Sequence, residues 1–236
     1  MSQNDTTKII FEDNLNLINK VHHTDCLSLM NDISSKSIDL VLTDIPYEFV
    51  NKKSNGLRKL DKEDANTINF NINKFLIEVD RITKGSGYIF CGKEQVSEIF
   101  AYFNEQGYTT RLMIWEKNNP SPMNCQHTWM SGIETFIYFK KRGATFNEHY
   151  KNSVIRFPNG SGKIHPTQKP IKLFKYLIET STNEGDIVCD PCVGSGTTAR
   201  ACIEMKRQYI VGDVNKNYVK LVEGVISETK SNPKLF

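Results

Sequence analysis

Residues 186–204, DIVCDPCVGSGTTARACIE, limit the fold of this chain more than any other stretch. An apolar run ends at Asp190, a turn carrying Gly194, Ser195 and Gly196 follows, and a helix-forming segment opens with Thr197 and Thr198. Gly194, Gly196 and Ala199 keep the spacing G-x-G-x-x-A, whose glycines let the backbone come close to a ligand. The next apolar run, YIVGD, closes on Asp213, where an acid can hydrogen-bond the two hydroxyls of a ribose. No lysine follows the glycines, so this is not a P-loop.

The rest of the chain repeats the alternation of short β-rich runs with helical stretches, which favours a largely parallel sheet covered by helices. The expected strands are about 19–23, 38–43, 87–91, 111–116, 134–140, 186–190 and 207–213, and the expected helices about 26–32, 71–83, 94–106, 170–181, 196–205 and 215–230. The runs 111–116 and 134–140 have only a loop between them, too short for a crossover helix, and should pair antiparallel at one edge. The expectation is one α/β domain over 1–236, with a doubly wound, mostly parallel seven-stranded sheet and an antiparallel edge hairpin. Residues 48–69, with Lys52, Lys53, Arg58, Lys59 and Lys62, and residues 117–133 and 141–169 show no clear period. Loops of that length in a compact domain are more often functional than idle.

A hydrophobic fraction of 39% and a charged fraction of 24% are ordinary for a soluble globular protein. The first residues are polar and mixed in charge, and no run is apolar enough to span a bilayer, so neither a leader nor a membrane partner is expected. Six cysteines in such a chain read as reduced thiols of a cytoplasmic protein. Cys189 and Cys192 form a lone C-x-x-C, and Cys189 lies inside an apolar run, so no metal is expected. A net charge of +3 permits a nucleic-acid partner without demanding one.

A second polar cluster ends the run Ile38–Leu42: residues 43–49 read TDIPYEF. In a doubly wound sheet both this stretch and the Gly-rich turn lie at the carboxyl edge of the strands, where ligands bind. A dinucleotide would lay its pyrophosphate over the glycines, and an acid at the mouth of that turn, Asp190, would repel it. Asp190 suits a cationic group such as the ammonium of a methionine moiety, which argues for S-adenosylmethionine over NAD.

Together the two stretches resemble the amino-group DNA methyltransferases, which methylate adenine N6 or cytosine N4, in the permuted β class with its catalytic motif ahead of its cofactor motif. HTDCLSLMNDISSKSIDLVLTD at 23–44, RLMIWEKNNPSP at 111–122 and HPTQKP at 165–170 are similar to further segments of that class. The resemblance implies a Rossmann-like methyltransferase fold and a catalytic tetrapeptide Asp44, Ile45, Pro46 and Tyr47. Ile45 stands where the family usually has proline. It implies an S-adenosylmethionine site from Asp190, Pro191, Cys192, Gly194, Ser195, Gly196, Thr197, Thr198 and Asp213, with Thr167 and Lys169 shaping the methionine pocket. Asp25 reads equally as a partner of the cofactor's adenine amine or as a helix N-cap.

An exocyclic amine is a poor nucleophile because its lone pair is delocalised into the ring. Asp44 and the carbonyl of Ile45, as acceptors, would draw the nitrogen toward tetrahedral geometry and stabilise the charge that develops on it. Tyr47 would stack on a base flipped out of double-stranded DNA. Asp rather than Ser at position 44 favours adenine. Basic residues at 52–62 and at Lys140, Lys141 and Arg142 are candidate phosphate contacts, and the segments 48–69 and 117–162 are candidate target-recognition loops. The resemblance also allows a homodimer. The rival readings are a cytosine N4 enzyme, an RNA or protein-amide methyltransferase, a weakly catalytic DNA-binding regulator, and an NAD enzyme.

Overall fold

The structure, a computed structural model, describes residues 14–46, 71–120, 125–160 and 168–231. In chain order the elements are β1 Lys20–His23, α1 Cys26–Asn31, β2 Ile38–Asp44, α2 Ile72–Ile82, β3 Thr83–Phe90, α3 Val96–Glu105, β4 Thr109–Lys117 and β5 Ile133–Lys140. There follow β6 Val154–Phe157, α4 Ile171–Ser181, β7 Ile187–Asp190, α5 Thr197–Glu204, β8 Gln208–Asp213 and α6 Lys216–Ser231. Among the described residues the strands form one eight-stranded sheet in the order β1-β8-β7-β2-β3-β5-β4-β6.

Each central strand alternates its side chains between two cores, as the pleat requires. Val41, Ile89, Ile137, Phe139, Cys189 and Ile210 face one core, which α1, α2 and α3 cover with Leu29, Met30, Phe75, Val79, Ile99 and Phe103. Leu40, Leu42, Phe90, Phe136, Val188 and Val211 face the other, covered by Leu173, Phe174 and Leu177 of α4, Ala199 and Cys202 of α5, and Val222 of α6. Three helices on each face make the sheet doubly wound, and burial on both faces explains why these strands read as nearly unbroken apolar runs.

Two expectations need correction. The sheet has eight strands rather than seven, because β6 pairs parallel with β4 from Ile114↔Val154 to Lys117↔Phe157. The hairpin β4–β5 is consequently not the edge: β5 lies between β3 and β4, antiparallel to both, and β6 is outermost. The four residues of β6 are too few for a period to show, and its main anchors are remote in sequence. Ile155 is buried, and the indole Nε1 of Trp115 donates to the carbonyl of Phe157 at 2.9 Å.

Strand β3 also begins four residues ahead of the expected 87–91, at Thr83, and runs through Gly85 and Gly87. The glycines are there for space. A Cβ on Gly87 would lie 2.2 Å from Cε1 of Phe139, whose ring stacks on Phe103 with centroids 3.8 Å apart. Held by Phe103 on its far side, that ring cannot swing away, so Gly87→Ala should cost about 1–3 kcal/mol by overpacking. A urea denaturation midpoint equal to that of the parent chain would show that the core gives way instead.

Candidate active site

The strands β1, β8, β7, β2 and β3 run parallel, so their carboxyl ends share one edge. Neighbours β2 and β7 send their crossovers to opposite faces, α2 to the first core and α5 to the second. The sheet thus has its topological switch point between them, the position at which open α/β sheets bind ligands. Asp44 ends β2 and Asp190 ends β7, with Leu40↔Val188 and Val41↔Cys189 in register behind them.

The Gly-rich turn is built around its acids. Asp190 is buried, with Oδ1 accepting from the N–H of Cys192 at 3.2 Å and Oδ2 from the hydroxyl of Thr198 at 2.5 Å. It therefore lies behind the turn and braces it against α5, rather than at the mouth where it would meet a cation. Pro191, which follows it, is buried as well. Burial pushes the Asp190 carboxyl up to about 7 against the pull of Thr198, Thr43 and the Cys192 N–H, with the Asp44 charge raising it further. Gly194 has φ 51° and Gly196 φ 81°, both left-handed, and no atom of the described residues lies within 4 Å of a Cβ built on Gly194. That side of the turn is open to a ligand. Gly196 instead sits under Val222. Ser195, Thr197 and Thr198 are buried, and the Thr197 hydroxyl donates to the carbonyl of Lys169 at 3.4 Å, tying the turn to the chain ahead of α4.

Asp213 ends β8 beside this turn. Its Oδ2 accepts from the N–H of Gly194 at 3.0 Å and its Oδ1 from that of Asn215 at 2.8 Å. A carboxylate oxygen can accept more than one hydrogen bond. Asp25 is the N-cap of α1, accepting from the N–H groups of Leu27 and Ser28, and hydrogen bonding from the Ser28 hydroxyl is the main reason that its carboxyl is held low, ahead of the Ser28 N–H.

At the other lobe, Asp44 stands at one end of a run of charged side chains that, among the described residues, continues through Lys169 and Glu134 to Lys117. The ammonium of Lys169 lies 2.5 Å from its Oδ2 and 3.1 Å from Oε2 of Glu134 on β5. Lys117, at the end of β4, pairs with Oε1 of Glu134 at 2.7 Å. The Lys169 side chain is 8% exposed, and its ammonium stands 5.4 Å from the Phe90 ring centroid, across the end of β3. Lys169 was expected beside a methionine pocket; its backbone does reach the Gly-rich turn, but its charge goes to Asp44. Glu134 was not singled out from sequence, although a signal was present. Glu134, Phe136 and Tyr138 share one face of β5, so an acid stands at an inward position of an apolar strand. Burial alone would raise its carboxyl, but Lys169 and Lys117 outweigh that and hold it below the usual value.

Ile45 is buried, and its N–H donates to the Phe90 carbonyl at 3.1 Å. The carbonyl of Pro46 accepts from Nε2 of Gln95 at 3.3 Å, and Oε1 of that amide accepts from the Gly92 N–H at 2.8 Å. Tyr47, Thr167 and the basic segment 52–62 lie outside the described residues. Lys140, Lys141 and Arg142 follow the amino-edge end of β5, far from Asp44 along the strands, and Lys141 is spent on Asp80 at 2.6 Å. Neighbouring Asn147 is tied to the end of α4. The described part of the segment before β5, residues 125–132, is at the carboxyl edge and exposes Trp129 and Met130.

Such an edge, with one acid-ended lobe beside a Gly-rich turn and another lobe ending in an acid and a proline, defines an α/β group-transfer enzyme that takes a nucleoside-like ligand. The sequence pattern of the DNA methylase family, N6- and N4-methylating enzymes, matches residues 38–224, and the chain belongs to that family. It is 30% identical to the Type II methyltransferase M.HpaI of Haemophilus parainfluenzae, over 85% of this chain and 71% of that one. It is 27% identical to the DNA adenine methyltransferase YhdJ of Escherichia coli (strain K12), over 84% and 79%. The fold is shared with the crystal structure of the M1.HpyAVI–SAM complex, at a TM-score of 0.68 and 24% identity, over 88% of this chain and 98% of that one. No helix among the described residues is long and apolar enough to cross a membrane, and no group of three or more His, Cys, Asp or Glu among them could hold a metal ion.

The raised carboxyl of Asp190 makes a stability prediction. Folded chain holds a proton there between the ordinary carboxylate range and about 7, where unfolded chain has lost it. The folded state therefore binds more protons, and stability falls as pH rises through that window. Asp190→Asn should flatten this part of the dependence, so that its urea midpoint falls less than the parent's between pH 5 and pH 8. Parallel curves would remove the raised carboxyl.

Proposed function

We propose that this chain transfers a methyl group from S-adenosylmethionine to an exocyclic amine of a base flipped out of double-stranded DNA, namely adenine N6 within a short specific sequence. The observation that carries it is the meeting of two acid-ended parallel strands, β2 with Asp44 and β7 with Asp190 and its Gly-rich turn, on either side of the switch point. Asp at position 44, and the adenine named for the YhdJ relative, favour adenine over cytosine.

The residues present fit the cofactor. The open face of Gly194 gives the backbone close approach, and Asp213 offers acceptors to a ribose. Asp190, Pro191, Cys192, Ser195, Gly196, Thr197 and Thr198 hold the turn in shape. Asp25 contributes as the cap that fixes the start of α1 beside the end of β8. When bound, S-adenosylmethionine supplies an electrophilic methyl on a sulfonium, at which a C–N bond forms as the C–S pair returns to sulfur. Asp44 and the carbonyl of Ile45 accept the amine's N–H groups, and so stabilise the positive charge that the nitrogen gains until its proton leaves. Pro46 and Gln95 keep the tetrapeptide backbone still, which holds the acceptors at attack geometry. Tyr47 stacks on the flipped base. Residues 48–69 and the carboxyl-edge part of 117–162, with exposed Trp129, take the duplex.

Nucleoside mass spectrometry on DNA from a methylation-deficient host should find N6-methyladenine with the parent chain and a loss of at least about a hundredfold with Asp44→Ala. N4-methylcytosine in its place would keep the mechanism and overturn the base. Asp213→Ala should weaken S-adenosylmethionine binding by about tenfold or more in calorimetry, the worth of a hydrogen bond to a charged group. An unchanged affinity would move the ribose elsewhere.

A further inference from the structure

A buried ammonium between two carboxylates from different strands is more than a methionine pocket needs. We propose that Glu134 is a positioning residue for the transfer: it shares the Lys169 ammonium with Asp44, so that Asp44 is held in place yet keeps its strength as an acceptor. The inference rests on the role given to Asp44 above.

The geometry carries it. Strand β3 separates β2 from β5, and Lys169 bridges the gap across the end of β3, 2.5 Å from Asp44 and 3.1 Å from Glu134. Both ends of the bridge are fixed. The Lys169 carbonyl is bonded by Thr197, and Pro170, the N-cap of α4, follows it. Glu134 is held from its far side by Lys117 at 2.7 Å, whose ammonium lies 5.2 Å from the Trp115 ring centroid and whose N–H donates to the Gly132 carbonyl. The four side chains alternate in sign, acid, base, acid, base, and sum to zero charge. A lysine facing Asp44 alone would settle wholly on it and draw off the electron density that must accept from the target amine. Divided between two carboxylates, it orients Asp44 at a smaller cost in acceptor strength.

Among the described residues, the charged and titratable groups that face Asp44 are Lys169 ahead of α4, Glu134 on β5 with Lys117 of β4 behind it, Asp190 of β7 and the Cys91 thiol after β3. Removing the Glu134 charge takes an anion from this set and leaves the cation to Asp44, so Asp44 should titrate lower. Removing the Lys169 charge should make it titrate higher. The two substitutions pull in opposite directions, which a loss of packing would not do.

The test follows the Asp44 carboxyl by 13C NMR on aspartate-labelled full-length chain, assigned with Asp44→Asn. Beside it runs single-turnover methylation of DNA with saturating S-adenosylmethionine. Glu134→Gln should lower the Asp44 midpoint by about one pH unit, and Lys169→Met should raise it. Glu134→Gln should also slow transfer about tenfold with cofactor affinity within a factor of about two, and Glu134→Asp should restore most of the rate. An Asp44 midpoint unmoved by Glu134→Gln, or a transfer rate equal to the parent's, overturns the proposal. If Glu134→Gln does not fold, the midpoints and rates of Glu134→Asp and Lys169→Met decide it: a lowered or unmoved Asp44 in Lys169→Met, or a slow Glu134→Asp, sinks it. A parent chain that methylates no DNA while its Asp44 shifts as stated removes the function proposed above and leaves the shared ammonium in place.

Discussion

The site depends on one pairing, the parallel contact of β2 with β7. These strands come from opposite halves of the chain, Leu40 against Val188 and Val41 against Cys189. Because β2 leads to a helix on one face and β7 to a helix on the other, the pair cannot be covered at its carboxyl end by either crossover. The crevice is therefore a product of connectivity, and the residues that follow the two strands line it. Each strand is locked by burial on both faces, where a register slip of one residue would exchange Leu40 and Leu42 for Val41 and empty both cores at once.

The charges at this edge follow from the same pleat. Asp44, Phe90, Glu134 and Asp190 all fall on the side of the sheet covered by α4, α5 and α6, because each shares its period with the residues of that core. Lys169 arrives on that side because it directly precedes α4. A buried lysine is costly to desolvate, and one carboxylate offsets that cost only with good geometry. Two carboxylates and an aromatic face around Lys169 meet the need. Asp190 has no cation in direct contact among the described residues and relies on Thr198, Thr43 and the Cys192 N–H, which are weaker than burial. Hence Asp190 rises toward neutrality while Glu134, buried to a similar purpose, is held low. Two acids at one edge differ because one has lysines and the other has hydroxyl and amide dipoles.

Much of this was legible in the sequence, for physical reasons. The central strands announce themselves because two-sided burial leaves few polar positions in them, and the Gly-rich turn because glycine takes φ of 51° and 81° at the least cost. Chain order alone placed TDIPYEF and DPCVGSGTT at a common edge. What was not legible is what depends on partners far along the chain. Strand β6 is held by Ile155 and by the indole of Trp115, and its four residues carry no pattern of their own. The early start of β3 hid behind Gly85, which makes room for the Asp39 carbonyl, and Gly87, which makes room for Phe139. The partner of Lys169 could not be read from HPTQKP, since both acids are supplied by strands distant in sequence. Asp190 was placed correctly on the sheet, but its inward orientation is set by the turn's own hydrogen bonds.

Ile45 shows how a departure from a family pattern is absorbed. Proline at this position would restrict φ but could not donate a hydrogen bond. Isoleucine gives up the ring and regains the N–H, which extends the β2–β3 ladder by one bond to the Phe90 carbonyl. Its side chain is buried in the first core, so the residue is fixed by packing where proline would be fixed covalently. One residue on, Gln95 holds the Pro46 carbonyl through an amide that is itself anchored on the Gly92 N–H. The backbone that presents the Ile45 carbonyl is thus restrained on both sides, by a strand bond before it and a side-chain bond after it. In the proposed transfer that carbonyl needs a fixed direction, and a ladder bond with a buried side chain restrains it where a pyrrolidine ring would restrain φ.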